Sequence, residues 1–477
     1  MSTLGLLLVI PATAAALLAL IRGYRLSAAL NVLACLASLG VALSLSIWRP
    51  AEGLYLRVDD LSVVFIVLSA FVGLTTSVFS ASYIAHEVEI GRLTPVRLRF
   101  YHAMYQVLMF AMTLALIANN IGLMWVAVEL ATLTTVLMVA VYRTHEAIEA
   151  AWKYFILGSV GIALALFGTI LVYVAARPVV GEGLAGMVWT VLVAKAHRFD
   201  PILLDLAFVF LMLGYGTKVG LAPLHAWLPD AHAEGPTPIS AVLSGLLLNV
   251  ALYALLRFKM LLAANAAAIA PGPLMNTLGL VSLIFAAFML YRRRDIKRLF
   301  AYSSIEHMGV IAFAFGMGGP LANFAGLLHM TMHSLTKSAI FFNVGHIAQA
   351  KGTQAIADIR GLTVSHPTLG WSLVFAVMAI AGVPPFGIFT SEFLVVSSTF
   401  ARAPVLAIPL VFGLLVAFGA LLMRLQGLAF GEPSPGAAPT KASYLPMFGH
   451  LALVLAAGVF FPPLITGWFQ HVAKLLG

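Results

Sequence analysis

The stretch Gly214–Asp230, GYGTKVGLAPLHAWLPD, follows a continuous apolar segment and carries a charge where a membrane-spanning helix is expected to have none. Lys218 lies in this stretch, and Pro223 follows it five residues later. A charged side chain at the centre of a bilayer costs roughly 2.5–3.5 kcal/mol on insertion scales. Proline removes a backbone hydrogen-bond donor and clashes with the preceding turn. The stretch therefore predicts a broken helix whose lysine reaches a hydrated cavity, where it can titrate.

The composition of the chain is that of a polytopic membrane protein. Of its 477 residues, 62% are hydrophobic and 9% are charged, whereas soluble domains have roughly 25% charged residues. The first apolar run lacks a positive n-region and a small-residue cleavage site, so we expect it to be retained. Apolar runs that can cross the bilayer predict an all-α protein with about 14 transmembrane helices. The predicted spans are 3–21, 27–47, 60–83, 103–118, 121–141, 152–175, 203–223, 238–262, 273–291, 299–317, 321–346, 369–396, 404–428 and 446–468.

The distribution of Lys and Arg predicts the orientation of these spans. Most of the basic residues fall on the odd-numbered loops, and Lys441 is one of them. The positive-inside rule then places the odd loops in the cytoplasm and both termini on the external side of a bacterial inner membrane. The net charge of +9 follows from this topology. The basic run Arg292–Arg298 (RRRDIKR) is expected to anchor a cytoplasmic helix end, with nucleic-acid binding as the weaker alternative.

Several classes of function are disfavoured by missing residue types and motifs. The single cysteine, Cys35, excludes a disulfide framework and any iron–sulfur or Cys-based zinc site built by this chain alone. The sequence contains neither GxxxxGK[ST] nor a GxGxxG that opens a strand–helix unit, so nothing indicates ATP hydrolysis or dinucleotide binding. We expect no cofactor and no metal in this chain. Glu306 and His307 are a tempting catalytic pair, but we expect them to adjoin the cytoplasmic end of their helix as polar lining or a partner contact.

Apart from residues expected near helix ends, four charged residues lie inside the predicted spans, namely Glu129, Lys218, Lys337 and Glu392. Together they amount to about 10 kcal/mol of insertion cost. They could instead be two structural ion pairs, Glu129 with Lys218 and Lys337 with Glu392. Buried ion pairs are seldom more stable than an apolar replacement, so we predict that the four residues are kept for function.

Glu392 follows a second Gly/Pro interruption, Gly382–Gly387 (GVPPFG). Interrupted helices at matching places in two halves are typical of inverted-repeat transporters whose site lies near the bilayer midplane. Helices 7 and 12 are then the broken ones. The predicted domains are an N-terminal three-helix segment (1–100), a first repeat of helices 4–8 (101–262), a second repeat of helices 9–13 (263–430) and a C-terminal helix (431–477).

Three polar residues follow one another at helical spacing in the eleventh predicted span. His329, His333 and Lys337 are four residues apart, so they line one helix face over about 12 Å. Histidine exchanges protons readily near neutral pH. The stripe therefore predicts a proton relay, with satisfied core histidines as an alternative.

Metal or haem ligation is a further alternative for the two histidines. Zinc would need further ligands, the only glutamate of the next span is Glu392, and no HExxH signature is present. A bis-histidine haem would need a histidine from a second span, and we expect His102 and His307 to lie near helix ends. We therefore expect neither group here.

These segments together resemble the antiporter-like, proton-translocating subunits shared by respiratory complex I, Mrp-type Na⁺/H⁺ antiporters and membrane-bound hydrogenases. The resemblance covers nearly the whole chain, although each motif alone is weak. Besides Glu129 and Lys218, it is carried by EAAWKYFILGS (Glu149–Ser159), PLHAWLPDAHAEGPTPISA (Pro223–Ala241), DIKRLFAYSSIEHMG (Asp295–Gly309), the HxxxHxxxK stripe (His329–Lys337) and GVPPFGIFTSEF (Gly382–Phe393). Two further segments resemble the branch formed by the F component of hydrogenase 4, which belongs to the membrane arm of formate-hydrogenlyase-type complexes: SYIAHEVEIGRLTPV (Ser82–Val96) and SSIEHMG (Ser303–Gly309).

The resemblance implies a role for each polar residue. Glu129 and Lys218 would be the input pair, the stripe on span 11 the central relay, and Glu392 the outlet toward the external side. Asn249 stands where many complex I members have a lysine; it carries no charge but can hold water. Residues expected to line the path are Asn249, His225, Asp230, His232, Glu306 and His307.

The predicted function is proton translocation within a hydrogenase-type or complex I-like assembly, with other membrane subunits and a cytoplasmic redox module as partners. One alternative is a subunit of an Mrp-type cation/proton antiporter. Another is the membrane subunit of an inorganic-carbon uptake complex paired with a cytoplasmic zinc protein. The sequence does not separate the redox and zinc alternatives, because either chemistry would lie in another chain.

Overall fold

The computed structural model describes residues 2–434 and 443–477, so Lys441 lies outside the described residues. Within these ranges the chain forms helices joined by loops, and the predicted all-α fold class is confirmed. The helices up to the middle of the chain are α1 (Thr3–Leu20), α2 (Tyr24–Ser44), α3 (Asp60–Glu89), α4 (Pro95–Ile117), α5 (Ile121–Val139), α6 (His145–Val180), α7 (Trp189–Lys195), α8 (Pro201–Val219), α9 (Trp227–Glu234), α10 (Thr237–Val242) and α11 (Leu248–Ala263). The remaining helices are α12 (Gly272–Leu290), α13 (Ile296–Met317), α14 (Gly319–Lys351), α15 (Leu362–Ser365), α16 (Pro367–Ile380), α17 (Gly387–Arg402), α18 (Pro404–Ala429), α19 (Leu445–Val459) and α20 (Pro463–Leu475).

The number of membrane spans is lower than predicted when it is judged by length and composition. Among the described residues, 11 helices are long and apolar enough to cross a membrane, or up to 12 if α19 and α20 form one bent span. The predicted spans that fall short are α14, which carries the polar stripe, and α16 with α17, which the break shortens. The count of fourteen and the inverted repeats therefore stay predictions.

The last predicted span, 446–468, is not one continuous helix. α19 ends at Val459, and α20 leaves it at an angle of 81°. Pro462 and Pro463 lie at the bend, where they remove two successive backbone donors. α20 then packs beside the start of α14, because the Asn323 amide donates a hydrogen bond to the Ala473 carbonyl at 3.0 Å.

Both predicted helix breaks are present. Gly220 directly follows the end of α8, and Gly382 comes two residues after the end of α16. These glycines have φ angles of +83° and +70°. Residues with a side chain rarely adopt this left-handed conformation, so glycine is suited to both positions. The groups freed by the first break bond to protein, as expected for irregular backbone at membrane depth. The Ala222 amide donates to Ser282 Oγ at 2.9 Å, and the Trp227 indole donates to the Thr217 carbonyl at 2.8 Å.

Candidate functional site

Glu129 on α5 and Lys218 on α8 face each other inside the helical bundle. The Lys218 Nζ atom lies 3.7 Å from Glu129 Oε2, and the two side chains are 2% and 18% exposed. At this distance the two groups form an ion pair, but they are too far apart for a hydrogen bond. Neither atom has a hydrogen-bond partner in the described part of the chain. The predicted juxtaposition is present, while its role in transport stays a prediction.

The surroundings of Lys218 explain how a lysine is accommodated there. It lies in the last turn of α8, where the partial negative charge of the helix C-terminus stabilises a cation. Gly158 on α6 leaves the space that its ammonium group occupies: a Cβ atom added at Gly158 would lie 2.9 Å from Nζ. Gly161 likewise lets α6 approach Thr217 on α8. Small residues that allow close approach are typical of helix contacts in membranes.

A second group of polar side chains meets where α13, α14 and α17 come together. His307 Nδ1 lies 3.0 Å from His329 Nε2, and His329 Nδ1 lies 2.9 Å from Ser391 Oγ. The Glu392 carboxylate is close to both imidazoles, since one nitrogen or oxygen atom from each of His307, His329 and Glu392 lies within 4.8 Å of the other two. The His333 ring faces His307 with their centroids 5.5 Å apart.

The expected place of Glu306 and His307 at a cytoplasmic helix end is wrong. α13 spans Ile296–Met317, so both residues lie at its centre, and both are about 1% exposed. The sequence did contain the signal, because His307 is also central in the predicted span 299–317. His307 therefore belongs with the mid-span histidines, as its place in the predicted span already indicated.

The two charges of the second half do not pair with each other. Lys337 Nζ donates a hydrogen bond to the Phe300 carbonyl at 3.0 Å. The carboxyl group that interacts electrostatically with Lys337 is that of Glu306. Glu392 faces the histidines instead. The alternative of a structural Lys337–Glu392 ion pair is therefore not realised.

Asn249 lies at the start of α11, directly after a π-helical turn at Leu243–Leu247. Its Nδ2 donates to Ser334 Oγ on α14 at 2.6 Å and to the Gly245 carbonyl in the π-helical turn at 3.0 Å. Its Oδ1 atom has no hydrogen-bond partner among the residues described. Asn249 therefore links α11 to the helix of the histidine stripe and keeps one acceptor free for a water molecule.

Of the other predicted lining residues, His225 and His232 are buried, whereas Asp230 is partly exposed. His232 on α9 is fully buried and stacks on Phe341 at a centroid distance of 4.8 Å. His225 follows the break of α8 and packs against the Phe285 ring at 4.7 Å. Asp230 is held at 3.2 Å by Lys153 and by Arg298 in a half-exposed ion-pair cluster. Asp230 thus lines the surface and not the centre of the bundle.

Two polar residues of the interior were missed by sequence reasoning. Lys297 was counted among the basic anchor residues, yet it is 2% exposed and donates to the Ala233 and Gly235 carbonyls. Ser391 bonds to His329, and no pattern marks it apart from its place beside Glu392. The burial of Lys297 depends on which face of α13 turns inward, and a local run of basic residues does not reveal this.

Comparison with known proteins agrees with this arrangement of helices. The family described as NADH:quinone oxidoreductase/Mrp antiporter, TM, matches residues 118–419, more than half of the chain. The chain belongs to this family. A hydrogenase-4 component F homolog of Methylacidiphilum infernorum (isolate V4) is 63% identical over 460 residues, which are 96% of this chain and 97% of that protein. The sequence resemblance is thereby confirmed.

Solved structures share the fold of this family member. A chain of the membrane-bound sulfane sulfur reductase, an archaeal respiratory membrane complex, has a TM-score of 0.87 at 22% identity, with 100% of this chain and 98% of that chain covered. A chain of respiratory complex I from Thermus thermophilus has a TM-score of 0.82 at 24% identity, with both chains fully covered. The protein is thus a polytopic, antiporter-like membrane subunit.

Proposed function

We propose that this chain moves protons across a membrane along a relay that begins at Glu129 and Lys218 and ends at Glu392. The observation that carries the proposal is the 3.7 Å ion pair of Glu129 and Lys218, enclosed in the bundle beside the break of α8. Making or breaking such a pair changes how tightly each group holds its proton. A proton taken up at this pair can therefore drive the release of another farther along the relay.

The histidine pair supplies the second part of the relay. In the contact between His307 and His329, one ring nitrogen carries the hydrogen and the other supplies the lone pair. A proton can pass from one ring to the other and then to Glu392, which lies beside them. His333 and Lys337 continue the same face of α14 toward Glu306.

Asn249 occupies the region between the two parts of the relay. α11 contacts α8, which carries Lys218, and its π-helical turn contacts α14. The Asn249–Ser334 hydrogen bond cannot titrate, so we infer that water carries the proton along this part of the path.

The position of Glu129 supports a partner in the membrane. The Glu129 side chain is 18% exposed, so part of it is left uncovered in an isolated chain. A charged residue exposed to lipid at a helix centre costs roughly 2.5–3.5 kcal/mol on insertion scales. We infer that another membrane subunit covers it, as expected for a member of a family found in multisubunit complexes.

The cytoplasmic partner and the membrane are further parts of the proposal. A hydrogenase-type redox module is supported by the name of the 63% identical relative, a hydrogenase-4 component. The comparisons do not favour the inorganic-carbon and Mrp-type alternatives. The excess of Lys and Arg on odd-numbered loops supports a bacterial cytoplasmic membrane with both termini outside.

Removal of either member of the input pair tests the proposal. In proteoliposomes that contain the complex purified in mild detergent, Lys218→Ala and Glu129→Gln should lower coupled proton transport to the passive leak, because neither variant can form the ion pair. Lys153→Ala is the matched control, since it removes a 49% exposed lysine from a surface ion pair. It should transport as the wild type does. Wild-type transport by both relay variants would refute the proposal, and a fully active lone chain would refute its need for partners.

A further inference from the structure

The group formed by His307, His329 and Glu392 has the composition of a metal site. One nitrogen or oxygen atom of each lies within 4.8 Å of the other two. We propose that these three side chains bind a divalent transition-metal ion of the Zn²⁺ type and that the bound ion stops proton transfer. The binding itself is independent of the proposed function, and only the effect on transport rests on it.

The spacing of the ligand atoms fits a tetrahedral ion. His307 Nδ1 and His329 Nε2 are 3.0 Å apart. With Zn–N distances of about 2.0–2.1 Å, the edge of a tetrahedron is about 3.3 Å. The two rings need to separate by only a few tenths of an ångström, and a carboxylate oxygen of Glu392 then supplies the third ligand. Three protein ligands with one open position are typical of zinc sites that exchange ligands.

The outer nitrogen of each imidazole also has a suitable neighbour. A metal-bound histidine usually donates its other N–H to an oxygen atom, which fixes the ring and its tautomer. His329 Nδ1 lies 2.9 Å from Ser391 Oγ. His307 Nε2 lies 3.2 Å from Glu306 Oε2, and neither atom has a hydrogen-bond partner among the residues described. A small rotation of the His307 ring aligns this contact, so both ligands are oriented by existing groups.

The charges and the available space favour a dication. Glu392 and Glu306 together can balance two positive charges, which matters because an uncompensated buried charge is strongly destabilising. Gly382 lies against the Glu392 carboxylate, and a Cβ atom there would overlap it. Glycine at this position therefore leaves room for the carboxylate where it lies beside the imidazoles. The His333 ring, whose two nitrogens have no partner in the described chain, lies beside the His307 ring at a centroid distance of 5.5 Å.

A bound ion would interrupt the relay for a chemical reason. The metal binds His307 Nδ1 and His329 Nε2 once the hydrogen between them has moved to the outer nitrogen of its ring. The two atoms that exchange the proton in the metal-free pair are then blocked. The metal also occupies the carboxylate oxygen of Glu392. Zn²⁺ at a saturating concentration should therefore reduce proton transport to the leak.

Cobalt spectroscopy on the full chain in detergent measures binding without relying on transport. Tetrahedral Co²⁺ has intense visible absorption bands that aqueous octahedral Co²⁺ lacks. After chelator treatment, the wild type should bind one Co²⁺ with these bands, and Zn²⁺ should displace it. His329→Gln and Glu392→Gln should lose the bands. Glu306→Gln should keep them but weaken binding by about 10–100-fold, the effect of losing a group that orients a ligand.

The control is His450→Gln, a buried histidine on α19 whose nitrogens bond to Thr75 and Leu335. It should retain the wild-type bands. Bands that are absent from the wild type, or that persist in Glu392→Gln, would overturn the metal site. If His329→Gln does not fold, Glu392→Gln and Glu306→Gln still decide the question. Proton transport without cobalt bands would refute only the metal site, and cobalt bands without transport would refute only the proposed relay.

Discussion

At the scale of single residues, glycines provide the space for two of the buried ionisable groups. Gly158 is adjacent to the Lys218 ammonium group, and Gly382 is adjacent to the Glu392 carboxylate. In both cases a methyl group would meet the charged end of a side chain and not its backbone. Gly158 therefore affects where the Lys218 charge lies more than whether the helix forms, whereas Gly382 also provides the left-handed backbone at the break.

Gly158→Ala should displace Lys218 without unfolding the protein. Alanine within a helix is more stable than glycine by roughly 0.5–1 kcal/mol, and the flexible lysine can move away from the new methyl group. The Glu129–Lys218 distance changes, so we expect proton transport to fall by about tenfold, equivalent to about 1.36 kcal/mol. Proton flux in proteoliposomes and thermal stability in detergent measure the two effects.

Gly40→Ala is the matched control for this substitution. Gly40 also lies within a helix, α2, but a Cβ atom there meets nothing within 4 Å. This variant should gain or keep stability and transport normally. If Gly158→Ala transports equally well, the position of Lys218 is not critical and the close approach of α6 serves packing alone.

At the scale of elements, the broken and irregular helices support one another through side chains from neighbouring helices. Ser282 on α12 bonds to the backbone after the α8 break. Asn249 on α11 bonds both to the π-helical turn before it and to Ser334 on α14. The irregular segments are thus stable because hydrogen-bond partners come from elsewhere in the bundle.

Substitution of Asn249 tests whether its contact with Ser334 serves proton transport or helix packing. Its hydrogen bond to Ser334 would serve the packing of α11 against α14. Its Oδ1 atom, which has no partner among the described residues, would hold water for transport. If water is held there, Asn249→Leu should remove it and reduce proton flux by at least about tenfold, or about 1.36 kcal/mol, while Asn249→Lys should be tolerated. If the residue only packs, Leu should cost about 0.6 kcal/mol of stability and spare transport, whereas Lys should disrupt assembly. Expression level and proton flux of both variants separate the two outcomes.

At the scale of the whole molecule, the charge on the loops predicts the orientation in the membrane. The only cysteine, Cys35, is 1% exposed. Labelling of a cysteine introduced on a loop therefore shows on which side of the membrane that loop lies. Ala51 lies on the second loop and Ala357 on the eleventh, and both are exposed. Cysteine substitutions at these two positions therefore form a matched pair of probes for the two sides of the membrane.

Ala51→Cys should react with a membrane-impermeant maleimide in intact cells, because even-numbered loops are predicted to be external. Ala357→Cys should react only after the cells are permeabilised, since odd-numbered loops are predicted to be cytoplasmic. The wild type, with Cys35 buried, should remain unlabelled and serves as the control. The reverse pattern would place both termini in the cytoplasm and reverse the proposed direction of the relay.

Features that depend on local composition and spacing could be predicted from the amino-acid sequence. The apolar content indicated the membrane class, Pro223 and the interruption Gly382–Gly387 marked the breaks, and the four-residue spacing put His329 and His333 on one face. These predictions hold because helix periodicity and the effect of proline act within a few residues. The apolar runs around Glu129 and Lys218 predict that both lie near the bilayer midplane, and this stays a prediction.

Only the tertiary structure decided which groups meet. It joined His307 to His329 across two helices, placed Lys337 near Glu306 and not Glu392, and turned α20 away from α19. These contacts depend on how each helix is rotated and where it crosses its neighbours. Close packing of many side chains sets these quantities, and the periodicity of any one segment does not. For that reason the metal-type site became apparent only when the three helices were seen together.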